Sequence, residues 1–505
     1  MSYLTDRYIA NLGGAAIVGL NWNSTTDTYT RLGAASGRDR TFFDLILPYI
    51  AMRRCNMDDT GLVTAYFGDS SYIEDGTNGQ VFVEIPKFYY KVDILSNGYN
   101  WWISSAPVLG FKLHPAFTRN SVIKDYQYIG AYEASVYDVT ASAIEVDTLT
   151  VTAGATASGN ITITLDGNYK YTVAVLASDT AAAVATKIYS AGNKTGYMGT
   201  VWTVANPSSG VVTFTAGAAG LKSTVTFTDT GTTGVTATIV KTTAGAGGYV
   251  LNDAAGYDFT ATTGDKLCSV KNMKPASGWN NSLTIVNTRI LAKNRGSIFD
   301  QQDFLITSAI QLLYLIEYGG FNSQSLLSQG VSNITDDGAT NMGVPTGLTN
   351  ALGNTSGQVS YTHYQTSQIT NPFSYRGIEN VFGNLYKFVD GINIQYNVPY
   401  ISDNGFVSDM FTSPYINSSL TLYNANDYAS DIKVSSAFDY MFLAGSGGGS
   451  ASTKLTDYYY QAAGNMIAGF GGDWRDGSVV GLFCWGLNNG SGFAYRLFGG
   501  RLLKK

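Results

Sequence analysis

Charged residues are scarce in this chain of 505 residues, since Asp, Glu, Lys and Arg together make up 13%, against a usual share of about 25%. Proline is scarce too, with 10 residues. Disordered chains are rich in charge and proline and poor in aromatic residues, so this composition excludes a largely disordered protein. The net charge is −6 and Lys and Arg are not clustered, so no nucleic-acid partner is expected.

Cysteine and histidine are also rare. The three cysteines, Cys55, Cys268 and Cys484, lie far apart, and there are 2 histidines. This pattern gives neither a disulfide framework nor the spaced ligands of a metal site. We therefore expect three buried thiols, no metal and no cofactor.

Long apolar runs are missing as well. The apolar run at residues 15–20 is too short for a signal peptide or a membrane span. No membrane insertion is expected. The protein is either cytosolic or exported by another route, such as the release of a virion by lysis.

Tyrosine and glycine are abundant, with 35 and 57 residues. An uncharged surface rich in Tyr, Ser, Thr, Asn and Gly is typical of extracellular β-rich binding proteins, because tyrosine offers a rigid contact area at low entropic cost. The fold class predicted from these features is α+β, mostly β-strands and loops.

Composition divides the chain into three zones, 1–139, 140–248 and 249–505. The middle zone is rich in threonine and consists of short alternating runs such as 161–165, which predict a β-sandwich. One helix is expected at 180–188, with Asp179 as its N-cap. Because the outer zones share an aromatic character, we expect the sandwich to be inserted into one continuous domain.

The first zone carries a short helical pattern at 42–47, with Thr41 and Asp44 as a capping box and Pro48 as its end. The runs 81–85 and 88–92 predict strands. Pro86 between them predicts an edge or a bend, because proline cannot donate to a β-ladder.

The third zone has its best helical pattern at 309–318. Ser308 and Gln311 match a capping box, and Gly319 would end the helix. The rest of this zone predicts short strands joined by long polar loops.

Two motifs of the third zone resemble those of a known family. Residues 383–391, G-N-L-Y-K-F-V-D-G, look like the G-N-V-W-E-W-x-D-G element of the formylglycine-generating-enzyme branch of the C-type-lectin fold. The run G-G-D-W-R-D-G at 471–477, followed by 481–483, 488–489 and 499–502, resembles the pattern that closes phage adhesins of this fold. These adhesins include ones diversified by retroelements.

Other segments extend the resemblance to 1–139 and 250–505. Residues 303–313 stand where the family carries a helix, and 83–90 and 110–117 look like the N-terminal part of such phage proteins. The middle zone is similar in composition to the immunoglobulin-like modules of phage tail proteins. The resemblance thus implies a C-type-lectin-like domain interrupted by an inserted immunoglobulin-like β-sandwich.

The function implied is that of a virion adhesin in a tail or surface fibre, which binds a host cell-surface glycan or protein through its C-terminal face. Other virion proteins would be its partners, residues 1–37 would anchor it, and a homo-oligomer is expected, since related adhesins are often trimers. The residues matching the scaffold of the family are Gly383, Asn384, Asp390, Gly472, Trp474, Gly477, Phe483 and Arg501. The interleaved residues expected to contact the receptor are Asp473, Arg475, Val479, Cys484, Leu487, Phe493, Tyr495 and Leu497.

The residues themselves agree with a scaffold and a display surface. Trp474 and Phe483 are large apolar anchors for a core, and Arg501 would pair with a carboxylate, such as Asp390, or cap carbonyl groups. Arg475 and Tyr495 suit an interface, because Arg and Tyr are enriched among binding hot spots. The alternative for the apolar residues Phe493, Leu497 and Phe498 is a place in the core.

Three alternative functions differ in the residues that they require. An oxidase like the formylglycine-generating enzymes needs a reactive cysteine pair, whereas only Cys484 lies in the C-terminal region, so no enzyme is expected. A calcium-dependent lectin needs E-P-N, Q-P-D or W-N-D ligand triplets, and the sequence has none. A structural head or tail fibre, or a decoration protein of the virion, remains the open alternative.

Overall fold

A computed structural model describes residues 16–167, 169–196, 201–220, 222–249, 256–279 and 282–505. These residues form mostly β-strands and loops with few helices, which confirms the predicted class. The α-helices of the described residues are α1 (Ala181–Ser190), α2 (Ile285–Arg295), α3 (Phe304–Tyr318) and α4 (Ser323–Leu326). The 3₁₀ helices are Arg40–Leu45, Tyr49–Ala51, Pro115–Phe117, Asn350–Leu352 and Gly477–Val479.

Two antiparallel sheets are built largely from the first zone. The first has the order β2-β1-β7-β6-β8 and consists of β1 (Val18–Asn23), β2 (Thr28–Gly33), β6 (Tyr89–Leu95), β7 (Gly98–Ser104) and β8 (Lys112–Leu113). The second has the order β22-β37-β11-β5-β3-β4 and consists of β3 (Arg53–Met57), β4 (Val63–Tyr66), β5 (Gln80–Pro86), β11 (Tyr126–Gly130), β22 (Phe299–Gln301) and β37 (Leu502–Lys504).

The largest sheet of the described chain belongs to the third zone. Its order is β30-β29-β28-β34-β35-β33-β31-β32, and β36 pairs with β28. Its strands are β28 (Tyr386–Gln395), β29 (Val398–Ile401), β30 (Ile416–Asn417), β31 (Asp427–Ile432), β32 (Ala444–Gly447), β33 (Tyr458–Gln461), β34 (Asn465–Phe470), β35 (Trp485–Asn489) and β36 (Phe498–Gly499).

The two ends of the chain fold together. Strand β37, at the C-terminus, pairs with β11 of the first zone and with β22 of the third. The main core likewise combines buried side chains of both zones, such as Trp101, Leu313 and Trp485. Residues 16–139 and the third zone therefore share one hydrophobic core.

The middle zone has two sheets and its own core. One sheet has the order β15-β16-β17-β12-β19, with β20 and β21 also paired to β12, and the other has the order β14-β13-β18. The strands are β12 (Ser135–Ala153), β13 (Gly159–Leu165), β14 (Tyr169–Val175), β15 (Lys194–Thr195), β16 (Val201–Val204), β17 (Val211–Ala219), β18 (Thr226–Asp229), β19 (Thr236–Thr243), β20 (Ala246–Tyr249) and β21 (Lys266–Cys268). Their core, which includes Leu149, Ile163, Trp202 and Phe214, draws only on residues of this zone.

The boundary at 139/140 falls inside one strand. β12 runs through it, and its first residues pair with Tyr249 and with Cys268, while Asp138 lies opposite Gly248. The two connections to the sandwich are therefore neighbouring strands of one ladder. Two further short pairs and a small sheet complete the described strands: β9 (Thr118–Arg119) with β10 (Val122–Ile123), β24 (Tyr361–Thr362) with β25 (Ile369–Thr370), and β23 (Gly357–Gln358), β26 (Phe373–Tyr375) and β27 (Ile378–Glu379).

Helix α3 begins earlier than predicted. Its N-cap is Asp303, whose carboxylate accepts a hydrogen bond from the Ile306 amide at 2.9 Å. Ser308 and Gln311 lie inside the buried helix and donate to carbonyl groups of Tyr440 and Leu482. The predicted capping box was wrong, because a helix buried on nearly all sides has no apolar stripe to mark its start.

Other sequence predictions were wrong in detail. Helix α1 is capped by Thr180 rather than Asp179. Asp39, and not Thr41, caps the first 3₁₀ helix. The edge expected at Pro86 was wrong, because β5 lies between β3 and β11 inside a sheet. The alternative of a bend agrees with the structure, since β5 and β6, on either side of Pro86, belong to different sheets.

Helix α2 was not predicted from the sequence. Thr284 caps it, accepting a hydrogen bond from the Asn287 amide. None of the helices in the described part of the chain is long and apolar enough to cross a bilayer.

Candidate functional site

The largest sheet has two unlike faces because side chains alternate along its strands. On β35, Trp485 and Leu487 point into the main core, whereas Gly486 and Asn488 point to the opposite face. That opposite face is covered in part by a smaller apolar cluster containing Trp474, and the rest is open.

The open part is a groove of about 240 Å³, which we call the outer groove. Its lining residues are Tyr386, Tyr460, Asp473, Arg475, Asp476, Gly486, Asn488, Asn489, Phe493, Tyr495, Leu497 and Phe498. They come from strands and loops between residues 386 and 498.

Glycine residues form the floor of the outer groove. Gly486 lies opposite both Gly469 and Tyr460 in the neighbouring strands. A Cβ built on Gly469 would lie 2.6 Å from the Phe498 ring, so only glycine lets that ring rest on the strand. A Cβ on Gly486 would have its nearest neighbour, a ring atom of Tyr386, at 3.6 Å, an ordinary contact. Packing therefore does not require glycine at 486, and the missing side chain leaves the floor open.

Aromatic rings form one wall. The rings of Tyr386 and Phe498 are stacked, with centroids 4.7 Å apart and an angle of 9° between their planes. The ring of Phe493 meets that of Phe498 edge to face, with centroids 5.0 Å apart. Its centroid lies 6.1 Å from that of Tyr495, whose ring is tilted against it by 42°. Phe493 is half-buried and Tyr495 is 41% exposed. Tyr386 and Phe498 are each 6% exposed. The wall therefore offers the rings of Phe493 and Tyr495, and the buried stack behind them holds Phe493 in place.

Two carboxyl groups line the groove and share a hydrogen bond. Burial, and then the negative charge of Asp476, raise the pKa of Asp473 to about 8. Burial also raises the pKa of Asp476, against the opposing effect of Arg475. Two carboxylates this close cannot both ionise easily. At neutral pH the pair therefore holds a proton and presents both a donor and an acceptor.

Arg475 is the exposed cation of the outer groove, with 38% of its side chain accessible. Its backbone amide donates to Asp473 at 2.9 Å, and its guanidinium lies 3.4 Å from the carboxylate of Asp336. Arg496 is instead 5% exposed and holds the same Asp336 at 2.5 Å. Arg496 thus fixes the loop, while the more exposed Arg475 guanidinium lies 3.4 Å from Asp336 and 3.5 Å from the carboxyl of Asp473.

A row of tyrosines continues from the groove along the sheet. Tyr458 and Tyr460 project from the same face of β33, and the buried Tyr459 lies between them on the other face. Their ring centroids are 4.7 Å apart, and Tyr458 meets Tyr428 of β31 edge to face at 5.0 Å. The half-buried rings extend the aromatic surface beyond Tyr460.

The outer groove brings together five of the residues expected to contact a receptor. Asp473, Arg475, Phe493, Tyr495 and Leu497 all line it. Leu497, however, is 3% exposed and packs at its base.

Three other expected contact residues do not line it. Leu487 points into the main core, and Cys484 is buried beneath the groove, 3.7 Å from the Tyr386 hydroxyl. For Cys484, Leu487 and Leu497 the expectation of an outward-facing side chain was wrong, because their strand positions or packing turn them inward. Val479 is half-buried in the Gly477–Val479 turn, outside the groove lining.

The residues matched to the scaffold take structural positions. Gly383 and Gly472 have positive φ angles of 72° and 78°, and a Cβ on either would meet its neighbour at 2.7 Å or less. Asn384 is buried, and its side chain accepts from the Val344 amide. Trp474 is buried in the apolar cluster below the groove, and Phe483 is buried in the main core. Gly477 has a φ of 61° and open space around it.

Arg501 caps carbonyl groups and does not pair with Asp390. Its guanidinium donates to the carbonyl oxygens of Gly130, Ala131, Glu379 and Asn380 at 2.6 to 3.2 Å.

Asp390 is bound by Arg289 of α2 through two hydrogen bonds, at 2.9 and 2.5 Å. The unpredicted helix α2 supplies that arginine, which is why the sequence suggested the wrong partner.

Sequence reasoning missed Tyr386, Tyr460, Asp476 and the role of Gly486. The tyrosine triplet 458–460 does carry a signal, because alternation along a strand must turn two of its rings to one face. For Tyr386 the sequence had no such signal, since its place in the groove lining depends on the glycines of neighbouring strands.

Within the described ranges, no group of three His, Cys, Asp or Glu side chains is placed to hold a metal ion. All three cysteines are free and buried, as expected from the sequence, and burial raises the pKa of each thiol.

No protein family matches this chain, and no curated protein matches it. Its function must be argued from the geometry of the outer groove and from its motifs.

Proposed function

We propose that this protein is a bacteriophage virion adhesin that binds a host cell-surface receptor through the outer groove. The groove itself carries the proposal: preformed ring faces, an exposed guanidinium and a proton-sharing carboxyl pair stand together on a rigid sheet. Such a mixture of aromatic anchors and a few placed polar groups is typical of binding sites.

The motifs at 383–391 and 471–502 support the same proposal. They place scaffold glycines and Trp474 beside the residues of the groove, as in the phage adhesins that they resemble. In this proposal residues 1–139 and 249–505 form a C-type-lectin-like domain, and the separate core of the middle zone belongs to an inserted immunoglobulin-like sandwich. The protein would be a homo-oligomer, such as a trimer, in a tail or surface fibre, attached to other virion proteins.

The test measures binding of the fluorescently labelled full-length chain to a panel of bacterial strains. Saturable binding to some strains is expected. Truncating both Arg475 and Tyr495 to alanine should weaken that binding at least about tenfold. The control is Tyr189→Ala, because Tyr189 lies on α1 of the middle zone and is 38% exposed, close to the 41% of Tyr495.

Two outcomes would contradict the proposal. One is that the chain binds no strain of the panel. The other is that the double variant folds and binds as well as the unmodified chain. Either result would favour a structural or decoration protein of the virion.

A further inference from the structure

The outer groove crosses the face of a sheet, and this limits what it can hold. Four strands lie beneath it, β28, β34, β35 and β33. Each of them is paired with a neighbouring strand on both sides. Their backbone N–H and C=O groups are therefore engaged in ladders. An extended peptide that adds a strand needs a free sheet edge, and this groove offers none.

Recognition must therefore come from side chains. The amides of Asn488 and Asn489 and the hydrogen-bonded carboxyls of Asp473 and Asp476 offer donors and acceptors side by side. Hydroxyl groups likewise both donate and accept. Arg475 adds a fork of donors at the rim.

The apolar part of the surface has the form of a strip. It passes from Phe493, with the largely buried Tyr386 at its base, over the open floor at Gly486 to Tyr460, and the ring contacts continue it to Tyr458 and Tyr428. A sugar ring has an apolar C–H face and a rim of hydroxyls, so a chain of sugars matches a strip of ring faces flanked by amides and carboxyls.

We infer that the outer groove binds an extended carbohydrate chain, whose sugar rings lie over Gly486 and against the tyrosine faces while their hydroxyls bond to the flanking amides and carboxyls. This inference rests on the proposed function, because it names the receptor class for the same groove. Tyr460 contacts the sugars in the groove, and Tyr458 and Tyr428 contact sugars further along the chain.

The first experiment separates carbohydrate from protein. The labelled full-length chain is applied to purified bacterial O-antigen, capsular polysaccharide and wall teichoic acid, printed beside bacterial surface proteins. The strains that bind the chain are also treated either with periodate, which cleaves sugar diols, or with protease. Binding to at least one printed polysaccharide, and cell binding lost after periodate but kept after protease, are expected.

The inference and the proposed function fail in different ways. Three outcomes overturn the carbohydrate inference and leave the adhesin. The chain binds only the printed proteins, it binds nothing that is printed, or its binding to cells is abolished by protease and not by periodate. Binding to a printed polysaccharide without binding to any cell overturns the adhesin and leaves the carbohydrate site.

The second experiment fills the groove. Gly486→Val should fold, because the new Cβ meets its neighbours at 3.6 Å or more and the backbone φ is not positive. Its methyl groups would occupy the floor, so polysaccharide binding should fall at least about tenfold. Gly256→Val is the matched control, since its Cβ would stand in open space away from the groove. A folded Gly486→Val chain that binds as tightly as the control overturns the site.

The third experiment tests whether the binding site extends over several sugars. The bound polysaccharide is cut by partial acid hydrolysis, and fragments of increasing size are titrated. Affinity should rise with fragment size, Tyr460→Ala should weaken all fragments, and Tyr458→Ala should weaken only the longer ones. An affinity that does not change with size, or an equal effect of Tyr458→Ala on every fragment, overturns the extended site.

Discussion

The ammonium group of Lys387 lies 2.9 Å from the carboxylate of Glu133, and both side chains are almost completely buried. Lys387 also donates to the carbonyl of Gly383, and Glu133 accepts from the amide of Asn384. This pair joins the first zone to the 383–391 motif, because Lys387 lies on β28 of the sheet that carries the outer groove. It therefore links the two outer zones at the motif that the sequence singled out.

Breaking this pair should destabilise the protein strongly. Lys387→Met and Glu133→Gln each keep the shape and remove one charge, and each should cost about 3–5 kcal/mol of unfolding free energy, because a buried charge loses its partner. The double variant should cost less than the sum of the two by at least about 1 kcal/mol. Denaturant titrations of the three variants measure this difference. Additive costs would mean that the two groups do not interact energetically.

Neighbouring residues of the end motif should respond in opposite ways. Trp474 is fully buried, so Trp474→Ala should lower the unfolding free energy by about 3–5 kcal/mol. The side chain of Arg475 is 38% exposed, and Arg475→Ala should change the unfolding free energy by no more than about 0.5 kcal/mol. Thermal melting of both variants is the measurement. A large loss of stability from Arg475→Ala would show a structural role for this arginine in place of display.

The carboxyl pair predicts a pH dependence of stability. Burial raises the pKa of Asp473 from 3.8 to about 8. A group with a raised native pKa contributes stability that is complete below the unfolded pKa and is lost as pH rises through the native pKa. The unmodified chain should therefore lose stability between pH 3.8 and about 8 relative to Asp473→Asn, which cannot ionise.

Melting temperatures of the two proteins across this pH range give the test. The advantage of Asp473→Asn should grow steadily as pH rises. Asp476→Asn is the control, because it removes the charge that helps to raise the pKa of Asp473 and should make this dependence smaller. A difference between the two proteins that stays constant with pH would contradict the assignment.

The middle zone should be removable at a defined point. Asp138 and Gly248 lie opposite each other in one ladder, so replacing residues 139–247 with Asn-Gly would close a two-residue hairpin. The shortened chain should keep its cooperative melting, because the core of the middle zone draws on no residue outside it. Circular dichroism and calorimetry measure this. A shortened chain that only aggregates would show that the outer zones need the sandwich in order to fold.

Divalent metal should not affect this protein. Cys and His are sparse, and no calcium triplet occurs in the sequence. An excess of EDTA should therefore leave both the melting temperature and binding to cells unchanged. A fall of several degrees in the melting temperature on chelation would reveal a metal bound to the native state, since such a metal stabilises the folded protein by mass action.

The sequence by itself determined the features that depend on neighbours along the chain. The alternating runs 161–165 and 171–175 became strands of the middle zone, because a period of two residues is itself the strand repeat. Gly319 ended α3, because a left-handed residue there favours glycine. Trp474 was expected in the core because of its size and apolar ring, and it is buried there.

Only the tertiary structure decided which residues face the outer groove. Tyr386 and Tyr460 line it because the glycines at 469 and 486 meet between their strands, although Tyr386 itself is largely buried. Leu487 is buried because its strand turns that position toward the main core. The partner of Asp390 depended on a helix that the sequence did not reveal. Pairings of this kind join residues distant in the chain, and local patterns of polarity do not record which strands become neighbours.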